Sequence, residues 1–118
     1  MYGEMHESNF SRSVIPLEDI NQDGFADILV ASPNVSTPNS NNSQSDGALY
    51  LYYGGQNHYG SGYHHKLIGH NSEFSVFGAT ALGDIDDSGM IDLLISSQFV
   101  NSPNGAGGGY LVFSEDIF

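Results

Sequence analysis

The stretch Asp19-Ile-Asn-Gln-Asp-Gly-Phe-Ala-Asp27 returns 65 positions later as Asp84-Ile-Asp-Asp-Ser-Gly-Met-Ile-Asp92. The match extends well beyond the nonapeptide. Ile28-Leu29-Val30 answers to Leu93-Leu94-Ile95, and Gly47-Ala-Leu-Tyr-Leu-Tyr52 answers to Gly108-Gly-Tyr-Leu-Val-Phe113. The lead-in repeats too, since His6-Glu-Ser-Asn-Phe10 echoes His70-Asn-Ser-Glu-Phe74. Self-similarity at a fixed spacing marks a supersecondary unit used more than once.

Around these landmarks the apolar runs are short. Ser13–Leu17, Ile28–Ala31, Ala48–Tyr53, His65–Ile68, Val76–Leu82, Leu93–Ser97 and Tyr110–Phe113 read as strands, and fifteen glycines with many Asn and Ser read as turns. No window sustains the three-and-four spacing of an amphipathic helix. The class is all-β. Each unit runs strand, acidic loop, strand, long polar loop, strand, turn, strand, an antiparallel meander of the propeller-blade kind. Residues 1–10 are read as the end of a preceding outer strand with its lead-in, 11–69 as blade 1, and 70–118 as blade 2. The second unit stops after its third strand, so its outer strand is either missing or supplied by an N-terminus. Two blades cannot close a ring that needs about 4–8. The chain is therefore expected to be part of a larger propeller, or to form a ring by oligomerisation through head-to-tail contacts.

Charge narrows the functional classes. Two basic residues stand against fourteen acidic ones, a formal charge of −12. Phosphate recognition needs Lys and Arg to displace counterions, so nucleic acid is excluded as a partner. An anionic membrane surface is disfavoured on the same ground, and no apolar run approaches the length of a spanning helix. Hydrophobic residues make up 39% and aromatics 12%, too much apolar matter for a disordered acidic chain. With no cysteine there is no disulfide, thiolate metal site or cysteine nucleophile. No signal peptide is visible in the first residues.

The acidic nonapeptides have the donor pattern of a cation loop. Asp19, Asn21, Asp23 and Asp27 place side-chain oxygens at positions one, three, five and nine; Phe25 offers a backbone carbonyl at seven, and Gly24 permits the turn. Calcium takes six to eight hard oxygens from such a folded-back loop. The second loop offers Asp84, Asp86, Ser88, the Met90 carbonyl and Asp92, with Gly89 at the turn. Ser88 is a neutral, weaker donor, yet each loop carries three negative ligands. The plainer alternative is an Asx turn whose carboxylates only cap backbone amides. An EF-hand fails on the sequence, because position twelve is Val30 or Ile95 where that motif needs a bidentate Glu.

Phe77-Gly-Ala-Thr-Ala-Leu-Gly-Asp84, the acidic loops, Asp27-Ile-Leu-Val-Ala-Ser-Pro33 and Gly47-Ala-Leu-Tyr-Leu-Tyr-Tyr53 together resemble FG-GAP repeats, the blades of the integrin alpha-subunit β-propeller and its relatives. The first unit departs from that pattern with Arg12-Ser13 in place of Phe-Gly. The resemblance implies two structural Ca2+ sites and a non-catalytic module for extracellular or cell-surface recognition or adhesion. It implies a protein or glycan ligand met on the face opposite the calcium loops. The alternatives are a self-assembling structural unit and an accessory fragment of a larger hydrolase.

No catalytic motif contradicts this. G-x-S-x-G, a phosphate loop and H-E-x-x-H are all lacking. His64 and His65 are adjacent, and in one strand they would face opposite ways, so with His58 and His70 they are read as decoration and not as a zinc site. Tyr52, Tyr53, Tyr59 and Tyr63 are read as half-buried strand residues. Asn9, Asn34 and Asn41 open glycosylation-type triplets, which an Asn/Ser-rich chain produces by chance.

Overall fold

A computed structural model of the chain describes residues 9–36, 46–55, 62–69, 76–97 and 107–114. Among these residues there are seven strands: β1 (Ser13–Pro16), β2 (Ile28–Ser32), β3 (Ala48–Tyr52), β4 (His65–Ile68), β5 (Gly78–Gly83), β6 (Asp92–Ser97) and β7 (Gly108–Val112). They form two antiparallel meanders, β1-β2-β3-β4 and β5-β6-β7. Among the described residues no helix is long and apolar enough to cross a membrane. The all-β reading and both sheets are as the sequence leads one to expect, with ends displaced by a residue or two. Val76 and Phe77 precede β5, and Gly108 and Gly109 join β7 by pairing with Ser97 and Ser96. Apolar patterning misses such glycines because ladder hydrogen bonds need no side chain.

Period-two alternation decides which side chains meet. In the first sheet Ile15, Leu29, Ala31, Leu49 and Leu51 share one face, through the pairs Ile15↔Leu29, Leu29↔Leu51 and Ala31↔Leu49. These residues form one buried cluster with Leu93 and Ile95 of the second sheet, against which Ala79, Ala81 and Val112 also pack. The core thus lies between two stacked sheets. The opposite face of the first sheet carries Val30, Ala48 and Tyr50, covered by Val35 and Phe10 in a second cluster. Phe10 and Tyr63 meet the Tyr50 ring edge-on, at 5.5 and 5.2 Å between centroids.

The repeat gives the stacking a direction. Leu29 and Leu51 bury against the second sheet, and the residues that hold their places in the other ladder, Leu94 and Leu111, pair with each other on that sheet's far face. There they remain 39% and 48% exposed. The second sheet therefore displays outward two of the leucine positions with which the first sheet binds it, while the places of Ile15, Ala31 and Leu49 are taken by Thr80, Ser96 and Gly109. The pairing thus sets Gly47-Ala-Leu-Tyr-Leu-Tyr52 against Gly107-Gly-Gly-Tyr-Leu-Val112, one residue earlier than the sequence match with Gly108–Phe113. Strand register follows the hydrogen-bonded ladder, and a run of three glycines gives the sequence match no anchor.

Both basic side chains lie over aromatic rings. Arg12 stands 5.4 Å from the centroid of Phe77, the residue at the matching position of the other repeat. Its departure from the Phe-Gly pattern thus makes a cation–π bridge between the two blades. Lys66 lies 5.0 Å from the Tyr50 centroid and 5.9 Å from that of Tyr63.

Candidate metal-binding loops

Each acidic nonapeptide connects the first two strands of its meander. The neck of the first is closed by backbone bonds from Leu17 N–H to the Asp27 carbonyl (2.8 Å) and from Asp27 N–H to the Glu18 carbonyl (3.3 Å). Inside it the chain turns sharply, with positive φ at Gln22 (61°) and Gly24 (94°). The second loop repeats this at Asp87 (65°) and Gly89 (92°). Among the described residues, no atom beyond the two chain neighbours lies within 4 Å of where a Cβ would stand on Gly24 or Gly89, so the dihedral and not crowding demands glycine there.

The side-chain bonds repeat as faithfully as the dihedrals. Asp19 accepts from the amides of Asp23 (2.9 Å) and Gly24 (2.6 Å), and Asp84 accepts from Ser88 (2.9 Å) and Gly89 (2.7 Å). Position three accepts from position five, Asn21 at 3.2 Å and Asp86 at 3.1 Å. Position five accepts from the amide of position seven, Asp23 from Phe25 at 2.9 Å and Ser88 from Met90 at 3.4 Å. The Asx-turn reading is thus correct as far as it goes. A carboxylate oxygen with one amide donor still has a lone pair to offer a cation.

Position nine differs from the rest. Asp27 and Asp92 are 1% and 0% exposed, whereas positions one to five lie near or at the surface. Asp27 Oδ2 accepts from Ile20 N–H inside its loop, and Oδ1 accepts from Gly54 N–H just past β3, both at 2.9 Å. Asp92 Oδ2 accepts from Ile85 N–H at 2.9 Å, and Oδ1 accepts from Ser114 N–H just past β7 at 3.2 Å. The two strand-end residues are counterparts. A Cβ on Gly54 would collide with the Ala26 carbonyl, while Ser114, in that place, donates its hydroxyl to the equivalent carbonyl of Ile91. This second duty of position nine was not anticipated from the sequence. The matching Gly54 and Ser114 are the only trace of it there, and strand alignment is needed to see them as a pair.

The two loops arrange their ligand oxygens differently. Among the described residues, the carboxylates whose candidate ligand atoms all lie within 4.8 Å of one another are Asp84, Asp86 and Asp92. In the first loop Asp23 turns one oxygen to Phe25 N–H and the other to the Asn21 side-chain amide, at 3.0 Å. An all-oxygen, triply anionic donor set around a glycine turn fits a hard divalent cation and no soft one. The second loop, with neutral Ser88, is the one whose three charges converge.

Tyr53 stands beside the first loop. Burial, then the charges of Asp27 and Asp23, raise its phenol above the ordinary 10.0. Its hydroxyl is 3.0 Å from His65 Nε2, and its backbone N–H donates to His64 Nδ1 at 3.1 Å. The expectation that His64 and His65 face opposite ways in a strand does not hold. His64 precedes β4, and both rings pack on Tyr53, at 4.6 and 5.8 Å. Tyr52 and Tyr53 are half-buried as expected and Tyr63 is exposed. Tyr59, His58, His70 and most of the long polar loops lie outside the described residues.

Comparison with known proteins agrees with this geometry. The model of the FG-GAP repeat matches residues 10–52. Mouse integrin alpha-2 is 33% identical over 96 residues, 76% of this chain and 8% of that protein. Bovine integrin alpha-2 is 28% identical over 99 residues, again 8% of its length. Mouse phosphatidylinositol-glycan-specific phospholipase D is 35% identical over 94 residues, 79% of this chain and 11% of that protein. The chain therefore spans about a tenth of the length of these relatives.

Proposed function

Residues 10–52 being an FG-GAP repeat of the integrin-like kind, we propose that the chain is a calcium-stabilised β-propeller module, non-catalytic and used for recognition or adhesion outside the cell. The observation that carries this reading is the convergence of Asp84, Asp86 and Asp92 within 4.8 Å in a loop prearranged by its own amides. Asp84, Asp86, Ser88, Met90 and Asp92 would hold one Ca2+, and Asp19, Asn21, Asp23, Phe25 and Asp27 a second. The ion supplies only neutralisation of clustered charge. Everything else falls to the chain. The position-one carboxylate holds the turn, position three steadies position five, and position nine fastens the loop to its blade.

The stacking direction supports a longer assembly. Leu94 and Leu111 hold the places at which Leu29 and Leu51 bind the next sheet, so the far face of blade 2 is suited to a further blade. That blade would come from the same protein or from a second copy joined head to tail. A protein or glycan ligand would meet the face bearing the long polar loops. The phospholipase D relative supports a second reading, in which the blades accompany a larger enzyme without doing its chemistry.

Scanning calorimetry with calcium and with chelator tests the calcium reading. Extracellular calcium modules work near ~10⁻⁴–10⁻³ M, so millimolar calcium adds about 0.4–1.4 kcal/mol per site through RT ln(1+[Ca]/Kd). A melting temperature higher by several degrees is expected; an unchanged one overturns the reading. Light scattering under the same two conditions reports whether copies join.

A further inference from the structure

Each nine-residue loop is tied into its blade through the side chain of its ninth position, and the second also through the Ile91 carbonyl, which accepts from the Ser114 hydroxyl. Positions one, three and five accept from amides within the loop, two to five residues away. Position nine reaches across the sheet, Asp27 to Gly54 and Asp92 to Ser114, 27 and 22 residues along the chain. It is also the buried member of each set. A buried carboxylate cannot swing into water to escape its neighbours without breaking both amide bonds. The mutual repulsion of Asp84, Asp86 and Asp92 within 4.8 Å is therefore carried through Asp92 into the end of β7.

We infer that Asp27 and Asp92 are positioning residues that link cation occupancy of each loop to closure of the third-strand end of the same blade. The inference rests on the proposal that these loops bind calcium, and adds where the binding is felt. With the cation present, the three carboxylates are drawn to a common centre, and the position-nine oxygen stays on the amide of Gly54 or Ser114. Without it, repulsion loosens that bond and the strand end opens. The link runs both ways, since an ordered strand end presets the carboxylate for the ion. It is also local: the first loop governs Gly54 and the second governs Ser114. The consequence is larger in blade 2, where β7 is an edge of the sheet among the described residues.

Amide hydrogen exchange by NMR reads this directly, with calcium binding followed in parallel by calorimetry on the same chain. At ten times Kd, opening that requires cation release slows by about elevenfold, the factor 1+[Ca]/Kd. The expected result is that slowing at both Gly54 and Ser114. Asp84→Asn removes an exposed ligand charge without touching Asp92, and should abolish the slowing at Ser114 while leaving it at Gly54. Asp19→Asn should do the reverse. Asp86→Asn repeats the second-loop arm should Asp84→Asn fail to fold. If calcium binds and the two amides exchange at unchanged rates, the linkage is overturned while the calcium reading stands. If either variant affects both amides equally, the effect is global and the local linkage is likewise overturned. Calorimetry without binding overturns both.

Discussion

Replacing Asp27 by Asn removes one charge and almost no volume, so its cost isolates the buried tie. Asp27 accepts two amide bonds at 2.9 Å, from Ile20 and Gly54. Hydrogen bonds to a charged group contribute about 1.5–3 kcal/mol each, and a stranded buried donor costs about 1–3 kcal/mol. The Asn oxygen can keep one bond, but its NH2 then faces the other amide, donor against donor. The expected destabilisation is about 2–4 kcal/mol. Asp23→Asn is the control, because it removes the same charge from the same loop. Asp23 is exposed, and an Asn oxygen there can still accept from Phe25 N–H. Relief of carboxylate repulsion enters both variants and largely cancels in the difference. Urea denaturation in excess chelator keeps metal out of the comparison. With a slope of about 2 kcal/mol/M, Asp27→Asn should lower the midpoint by ~1–2 M and Asp23→Asn by a few tenths. Equal midpoints would show that burial and the two amide bonds carry no more weight than a surface cap, and would refute the role given to position nine.

Three further outcomes are expected. The raised phenol of Tyr53 means the folded chain holds that proton more tightly than the unfolded one. Its contribution is thus complete below pH 10 and declines as pH rises toward the folded pKa; a Tyr53→Phe variant should lose that part of the alkaline decline in denaturation midpoints, and an identical decline would refute it. Among the described residues Gly89→Ala meets no atom beyond its chain neighbours but must adopt a φ of 92°, so dihedral strain alone should cost about 1–3 kcal/mol in a thermal melt. A double-mutant cycle on Arg12→Ala and Phe77→Leu should return a coupling of about 0.5–1 kcal/mol for the ring contact at 5.4 Å; strict additivity would show that the contact does not hold the blades together.

Much of this architecture is legible in the sequence because repetition doubles every signal. A single D-x-N-x-D-G-x-x-D run between short apolar stretches could be any turn. A second copy with matching flanking strands fixes the period, the strand order and the loop's place between first and second strands. Strand ends are less legible where glycine carries the pairing, as at Gly108 and Gly109, since hydrophobic pattern reports side chains and not ladders. The donor positions of the loops can be read from spacing, but the division of labour among them cannot. Asp19 and Asp27 look alike in the sequence, and only the fold brings Gly54 to Asp27 and leaves Asp19 with its own loop. Nor does composition reveal which loop is better gathered. Counting donors favours the first, whereas there the Asn21 amide engages Asp23, and the three carboxylates that gather within 4.8 Å are those of the second. His64 and His65 illustrate the same limit, because the strand bounds His65–Ile68 are legible in the sequence, but the packing of both rings on Tyr53 is set by the fold.

The Gly54 and Ser114 pair has a practical bearing on engineering with this scaffold. A designer wishing to move one nonapeptide into another sheet would naturally cut at its two ends. That cassette would arrive with its buried acid but without the receiving amide, which lies two strands away and differs between the copies. One copy leaves room there for a carbonyl and the other fills that room with a hydroxyl. The transferable part is therefore discontinuous: nine residues plus one distant neighbour, chosen to match the carbonyl it must sit beside.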